Sequence, residues 1–344
     1  MKKHLLGLLA GAIGFALALA FWIPGWLDLW EAKTWDWRVN LLAKPGPATD
    51  RIRLILLDQN SLDWGKRENG LSWPWPREMY GPILDFCRRQ GAKAVVFDVL
   101  FTEPSAYGVE DDRAFAAAIK IGPPFVGAVF LSDKTGAEAK WPSSLALREW
   151  KIEGLDAWLS RAGGGRAVSS RAMFPVPELA AESRVLADTH LDPDPDNVYR
   201  RLRPFRIFDG RVVPSPAFGA YLAAHPETKL GISAEALRIG DRTVPLDRRG
   251  RVLLNFRGPS GTHRTYSAAA VIQSELRLRQ GEAPPIQGTN LFKDCYVLFG
   301  FSAPGLFDLR PAPVSGVYPG VEIHATALDN LLSDDFMRRA PTPY

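Results

Sequence analysis

The sequence predicts an α/β fold: a mostly parallel central sheet with flanking helices and an added β-hairpin, preceded by one N-terminal transmembrane helix. Three observations carry this expectation. Two near-continuous apolar runs, Leu54–Leu57 ending in Asp58 and Ala94–Val99 carrying Asp98, suit strands buried on both faces. A helix-patterned segment separates them, and the alternation of strand and helix continues to Leu131; such units demand a parallel sheet. An uncharged apolar run opens the chain.

Residues 5–23 carry no charge. At the helical rise, these roughly 19 residues span about 28 Å, close to the hydrocarbon thickness of a bilayer. Lys2, Lys3 and His4 precede them, so the N-terminus stays inside and the bulk goes out. Ala18-Leu19-Ala20 offers the small residues of a signal-peptidase site, but the run is longer than a usual signal core, so a retained anchor is expected. The organisation is then a cytoplasmic N-terminus over 1–4, a transmembrane anchor over 5–23, a Trp-rich juxtamembrane helix and linker over 24–50, and an extracytoplasmic domain over 51–344. Pro24-Gly25 ends the anchor. Trp26, Leu29, Trp30 and Trp37 follow on one helical face, which suits either the lipid headgroup zone or packing on a protein surface.

Within the body, Trp73-Pro74-Trp75-Pro76-Arg77 cannot lie inside a helix or a central strand, because each proline removes a donor and fixes φ. It reads as a stiff surface turn presenting two indoles and a guanidinium. Tyr80, Ile83, Leu84 and Cys87 mark the buried stripe of a helix over 77–90, closed by Gly91, and a strand spans 92–101. Asp111-Asp112 opens the next helix, at the dipole end that favours acids. Phe125–Leu131 is a third strand. Residues 132–180 read as an irregular insertion with short amphipathic helices around Trp150, Leu155, Trp158 and Leu159 and a flexible Gly163-Gly164-Gly165 loop. Asp209-Gly210 between Phe205–Phe208 and Val212-Val213 signals a hairpin. Helices follow over 216–224, 267–279 and 322–332, and Leu253–Phe256 and Tyr296–Phe299 read as further buried strands.

A net charge of +4 spread over scattered arginines gives no reason to expect nucleic acid as a partner. Cys87 and Cys295 each sit in an apolar pattern, as two separate core thiols rather than a bridge. No spacing fits a metal or cofactor, so none is expected. Asp192-Pro193-Asp194-Pro195-Asp196 resembles the start of a calcium loop, but Asn197 and Arg203 occupy the positions of the required glycine and glutamate. Gly300-Phe301-Ser302-Ala303-Pro304 departs from the nucleophile elbow, and Ser302 would need a base such as His324.

The first candidate ligand site is Asp58, Trp73, Trp75, Arg77 and Asp98. Both aspartates close candidate parallel strands, the edge where open α/β sheets bind ligands. There they could bind a cation, perform acid–base work or hold Arg77, and a structural ion pair with Arg77 is the expected use. The indoles and Arg77 form either an aromatic-cationic recognition patch or, for at least one indole, a cover over the sheet end. A second candidate cluster is Asp194, Asp196, Arg200 and His324.

Ordered motifs over about 36–340 give a resemblance to a family. They are Asp36-Trp37-Arg38, the strand into Asp58 with Ser61-Leu62, Trp73-Pro74-Trp75-Pro76-Arg77 and Gly91 to Asp98. They continue with Asp194 to Arg201, Asn255-Phe256-Arg257-Gly258-Pro259, Gly300 to Gly305 with Asp308, and Pro319 to Ala325. The chain resembles the class-two CHASE domain, a sensory extracellular domain associated with cyclases and histidine kinases. The resemblance implies an extracytoplasmic α/β sensory module with no catalytic residues to carry over. One departure is Asp196-Asn197-Val198, where the family tends to have glycine; asparagine also tolerates positive φ. In the family the domain usually continues into membrane helices and a cytoplasmic effector, whereas this sequence stops at Tyr344. The expectation is therefore either a receptor fragment or a single-pass protein working through a membrane-protein partner or as a homodimer. Residues 5–23 would contact membrane lipid and the body would receive a small-molecule or protein signal; the alternative is a non-catalytic accessory subunit of a membrane complex.

Overall fold

The computed structural model describes residues 2–23, 26, 28–161, 164–306 and 308–338. The expected break at Pro24-Gly25 and the Gly163 end of the glycine loop lie outside the described residues, as does the stretch 339–344. The chain divides into two compact units, 1–43 and 44–344.

The first unit is two helices, α1 (Lys2–Trp22) and α2 (Asp28–Leu42). In α1, residues Lys3–Trp22 have a mean hydropathy of 2.2, enough in length and composition to cross a membrane; cleavable signal sequences share both properties. Along α2, Leu29, Trp30, Trp37, Leu41 and Leu42 are exposed.

The second unit is built on a seven-stranded sheet. Its strands are β1 (Ile52–Leu57), β2 (Ala94–Phe97), β3 (Phe125–Ser132), β4 (Arg171–Met173), β5 (Val185–Asp188), β6 (Arg264–Ser267) and β7 (Tyr296–Phe301). The order is β6–β1–β7–β2–β3–β4, with β5 also on β3, and every pairing is parallel except β3 with β4. Apolar runs without polar alternation place β1, β2 and β7 at the centre, where helices cover both faces.

Those helices are α3 (Gln59–Asn69), α4 (Gly81–Arg89), α5 (Val109–Ile121), α6 (Pro216–Ala224), α7 (Ala268–Gln280) and α8 (Gly320–Ser333). On one face α4 packs on α5 and α7, and α3 packs on α7, over an aromatic core. Phe97 stacks on Phe299 at 4.4 Å, and Tyr80 contacts both rings. Each such pair contributes about 0.5–1.5 kcal/mol beyond its buried area. Successive strand residues point to opposite faces. Thus Phe299 faces this core while Gly300 faces α8, where an added Cβ would lie 2.6 Å from Val321. Only glycine lets α8 approach so closely. Helices α8 and α6 pack together on this second face.

Several expectations change in detail. The strand of 92–101 is shortened to Ala94–Phe97, and Leu253–Phe256 is not a core strand; only Val252–Leu253 pairs, with Arg201–Leu202. The insertion and the segment after α6 share a small sheet of Ile152–Glu153, Leu230–Ile232, Ala236–Ile239 and Arg242–Pro245. Of the short helices expected there, Leu155–Leu159 forms, while Trp150 lies outside any helix. The Phe205–Phe208/Arg211–Pro214 hairpin forms as expected, with Asp209 and Gly210 at φ 49° and 75°, the pair of positive angles a tight hairpin turn needs. Cys87 and Cys295 are free and buried.

Candidate ligand-binding cleft

A cleft of about 730 Å³ opens beyond the carboxyl ends of the central strands. Phe301 ends β7, Asp98 follows β2, Phe130 lies late in β3 and Thr189 follows β5; all four line it. This is the edge of an open α/β sheet at which ligands bind, and the volume suits a small molecule.

The Trp/Pro turn forms one wall, but not as a uniformly exposed patch. Trp75 is 3% exposed and packs edge-on to Trp64; a Cβ on Gly65 would sit 2.9 Å from its ring. Trp73, 40% exposed, stands edge-on to Phe301 with centroids 5.3 Å apart. Arg77 is buried: its guanidinium binds the Asp112 carboxylate and the Glu103 carbonyl, and lies 5.1 Å from the Phe101 centroid. Its backbone N–H donates to Asp111 at 2.7 Å, and Glu78 N–H to the other oxygen of Asp111 at 2.8 Å. The turn is thereby clamped to the first turn of α5, and one indole, not two, faces outward. Asp111 and Asp112, expected only as acids at a helix start, are its anchors. The sequence had no signal for this beyond two adjacent acids.

Asp58 is also a structural group. Its carboxylate caps α3, accepting from Ser61 N–H at 2.8 Å and from the Ser267 hydroxyl at 3.0 Å. The expected ion pair of Asp58 or Asp98 with Arg77 is replaced by Arg77–Asp112, because the turn folds onto α5 rather than across the strand ends.

Asp98 lies on the cleft floor with Asp308 and Arg310. Burial and the neighbouring Asp308 hold its carboxyl well above the ordinary range, opposed by Arg310. Burial also pushes Asp308 to about 6, although Arg310 lies 3.4 Å away. Beneath them, His324 on α8 places Nε2 3.9 Å from Asp98 Oδ2. Neither ring nitrogen of His324 has a hydrogen-bond partner, and complete burial lowers its pKa to about 3, so the imidazole is neutral. His324, expected with the second cluster, thus belongs to the first. This also removes the Ser302–His324 pair that a hydrolase would require, since Ser302 makes no bond to the ring.

The rest of the second cluster does come together. Asp196 forms a two-bond pair with Arg200 at 2.7 and 2.8 Å, and Asp194 binds Arg201 and Arg251, the latter at 3.2 Å. Asn197 takes φ 61°, so the turn survives without glycine. In the same stretch Asp192 is bound to Arg206 at 2.6 Å and His190 at 3.2 Å, an ionic use in place of a calcium loop. Arginine thus neutralises this region from within. Tyr199 N–H donates to the Pro311 carbonyl at 2.9 Å, which ties the turn to the Leu309–Ala312 strand beside the cleft.

The open α/β body thus carries an aromatic-walled, acid-floored cleft at its strand ends. The chain belongs to the CHASE2 domain family, whose model matches residues 12–344. CHASE2 domains are extracytoplasmic sensory domains, typically non-catalytic. Neither a curated protein nor a solved structure matches the chain.

Proposed function

We propose that this chain is the signal-receiving part of a transmembrane signalling system and itself catalyses nothing. In this reading residues 5–23 are retained in the cytoplasmic membrane, the N-terminus lies inside and the body faces the periplasm or exterior. The observation that carries it is the cleft of about 730 Å³ at the strand ends, floored by Asp98. A small molecule entering it transmits a signal only by favouring one of two arrangements of the domain. A membrane-protein partner or a second copy of the chain then passes that preference inward. The exposed row of Trp30, Trp37, Leu41 and Leu42 on α2 supports a second reading, an accessory subunit docked on a membrane complex.

Purification of the native protein in mild detergent, with identification of what travels with it, separates the two. A small molecule that is lost when Thr102→Trp fills the cleft mouth supports the sensor. A stoichiometric membrane protein together with an empty cleft supports the subunit. Protease treatment of intact cells tests topology: a body protected in the cytosol overturns both.

A further inference from the structure

Most buried acids of this domain are held by arginine, and Asp98, with 12% of its side chain exposed on the cleft floor, is not. Asp112 is held by Arg77, Asp188 by Arg206, Asp194 by Arg201 and Arg251, Glu275 by Arg89 and Arg279, and Asp329 by Arg257. Glu322, without an arginine, accepts from the Ser260 hydroxyl and Gly261 N–H. For the Asp98 carboxyl no hydrogen-bond donor is found among the described residues, and its ionic neighbour is the neutral His324. A carboxyl removed from water without a partner is costly, and the cost is relieved by keeping a proton or acquiring a cation.

The surroundings say which cation. Arg310 is paired with Asp308 at 3.4 Å and only partly offsets the Asp98 charge, and Arg77 is paired with Asp112, so neither makes an ion pair with Asp98. His190, across the cleft, is paired with Asp192. The walls are aromatic: Trp73, Phe101, Phe130, Tyr199 and Phe301. Ring faces attract cations, most strongly where water is excluded. Among the described residues no group of three or more His, Cys, Asp or Glu is placed to hold a metal ion, so an organic cation fits the floor better than a metal. His324 does not supply the missing partner, since its Nε2 lies 3.9 Å from Asp98 Oδ2, beyond hydrogen-bond reach.

We infer that the cleft takes a small protonated amine with an apolar or aromatic body, its ammonium on Asp98 and its body against the wall that Trp73 and Phe301 form together. This rests on the proposed sensory reading and names the ligand class of that same cleft. Any proton that Asp98 holds in the empty cleft leaves to solvent as the ammonium arrives. The charged and titratable groups around the exchange are Asp308 and Arg310 beside it, His324 below it, and His190 across the cleft.

Three probes of similar size test the claim by titration calorimetry on the detergent-solubilised full chain: 2-phenylethylamine, 2-phenylethanol and 3-phenylpropanoate. We expect the amine to bind at least about tenfold more tightly than the alcohol, the scale of a hydrogen bond to a charged group. Its heat should differ between buffers of unlike ionisation enthalpy, reporting proton release. Asp98→Asn should abolish both the preference and the buffer dependence, with Asp308→Asn as a second variant should Asp98→Asn not fold. If the alcohol or the propanoate binds as well as the amine, and Thr102→Trp blocks it, the cation class is wrong while the cleft remains the site. If the amine binds equally well to Thr102→Trp, or does not bind at all, the inference falls; the sensory reading is then judged separately by what co-purifies.

Discussion

Arg77 is bound to Asp112, a residue of α5, and through this one buried ion pair the Trp/Pro turn becomes part of the core rather than a flap on it. The turn holds Trp73 against Phe301 and so shapes the cleft wall.

Removing one member of that pair leaves a buried, uncompensated charge. Arg77→Ala is expected to cost about 3–5 kcal/mol, read as a lowered denaturant midpoint. The double variant Arg77→Met with Asp112→Asn should lose clearly less than the two single changes added together. Strictly additive losses would show that the pair is not coupled.

Gly300→Ala places a methyl 2.6 Å from the Val321 Cβ. Overpacking of this kind costs about 1–3 kcal/mol. Combining it with Val321→Ala should recover part of the loss, and a thermal melt decides it. A Gly300→Ala protein as stable as the parent would mean that α8 need not approach β7 so closely.

Asp329 gives a pH dependence of definite sign. Burial disfavours its charge, but bonds from His263, Thr49 and Arg257 outweigh burial and hold its pKa at about 2. A carboxyl depressed in the folded state adds stability above its unfolded value near 4, and that stability is lost as pH falls toward 2; the contribution is about 2 kcal/mol. Asp329→Asn should therefore cost most near neutrality and progressively less in acid, as followed by denaturant midpoints between pH 7 and 2.

Asp98 and Asp308 act in the opposite direction. Their raised values mean that the folded state binds the proton more tightly than the unfolded chain, so stability falls as pH rises from about 4 through 6. Asp308→Asn should stabilise the ligand-free protein at pH 8 and do little at pH 4, with a melting shift of about 2 °C per kcal/mol gained. An equal shift at both pH values would show that Asp308 is not proton-linked to folding.

The parallel core was legible because β1, β2 and β7 are short apolar runs with no polar alternation, which in a chain of this kind has one use. The hairpin at Asp209-Gly210 was legible because two adjacent positive φ angles select those residue types. The α3 helix was not, since its eleven residues hold few apolar positions and it is fixed by the Asp58 cap and packing on α7. The site was legible only in part. Asp98 at a strand end could be read from position alone, whereas the burial of Trp75 and Arg77 depends on α5, about 35 residues downstream. His324 sits beside Asp98, more than 200 positions away in sequence, because α8 runs under the sheet, and no local pattern records that contact.

Helix α8 is buried along nearly its whole 14-residue length and begins where Asp308 packs over Gly320. A rod enclosed on every side cannot bend to absorb a push at one end. A displacement at His324 is therefore expected to be felt at Ser333, about 14 Å further along the helix axis. The helix that carries His324 under the cleft is thus a stiff connection between the cleft floor and the residues around Ser333.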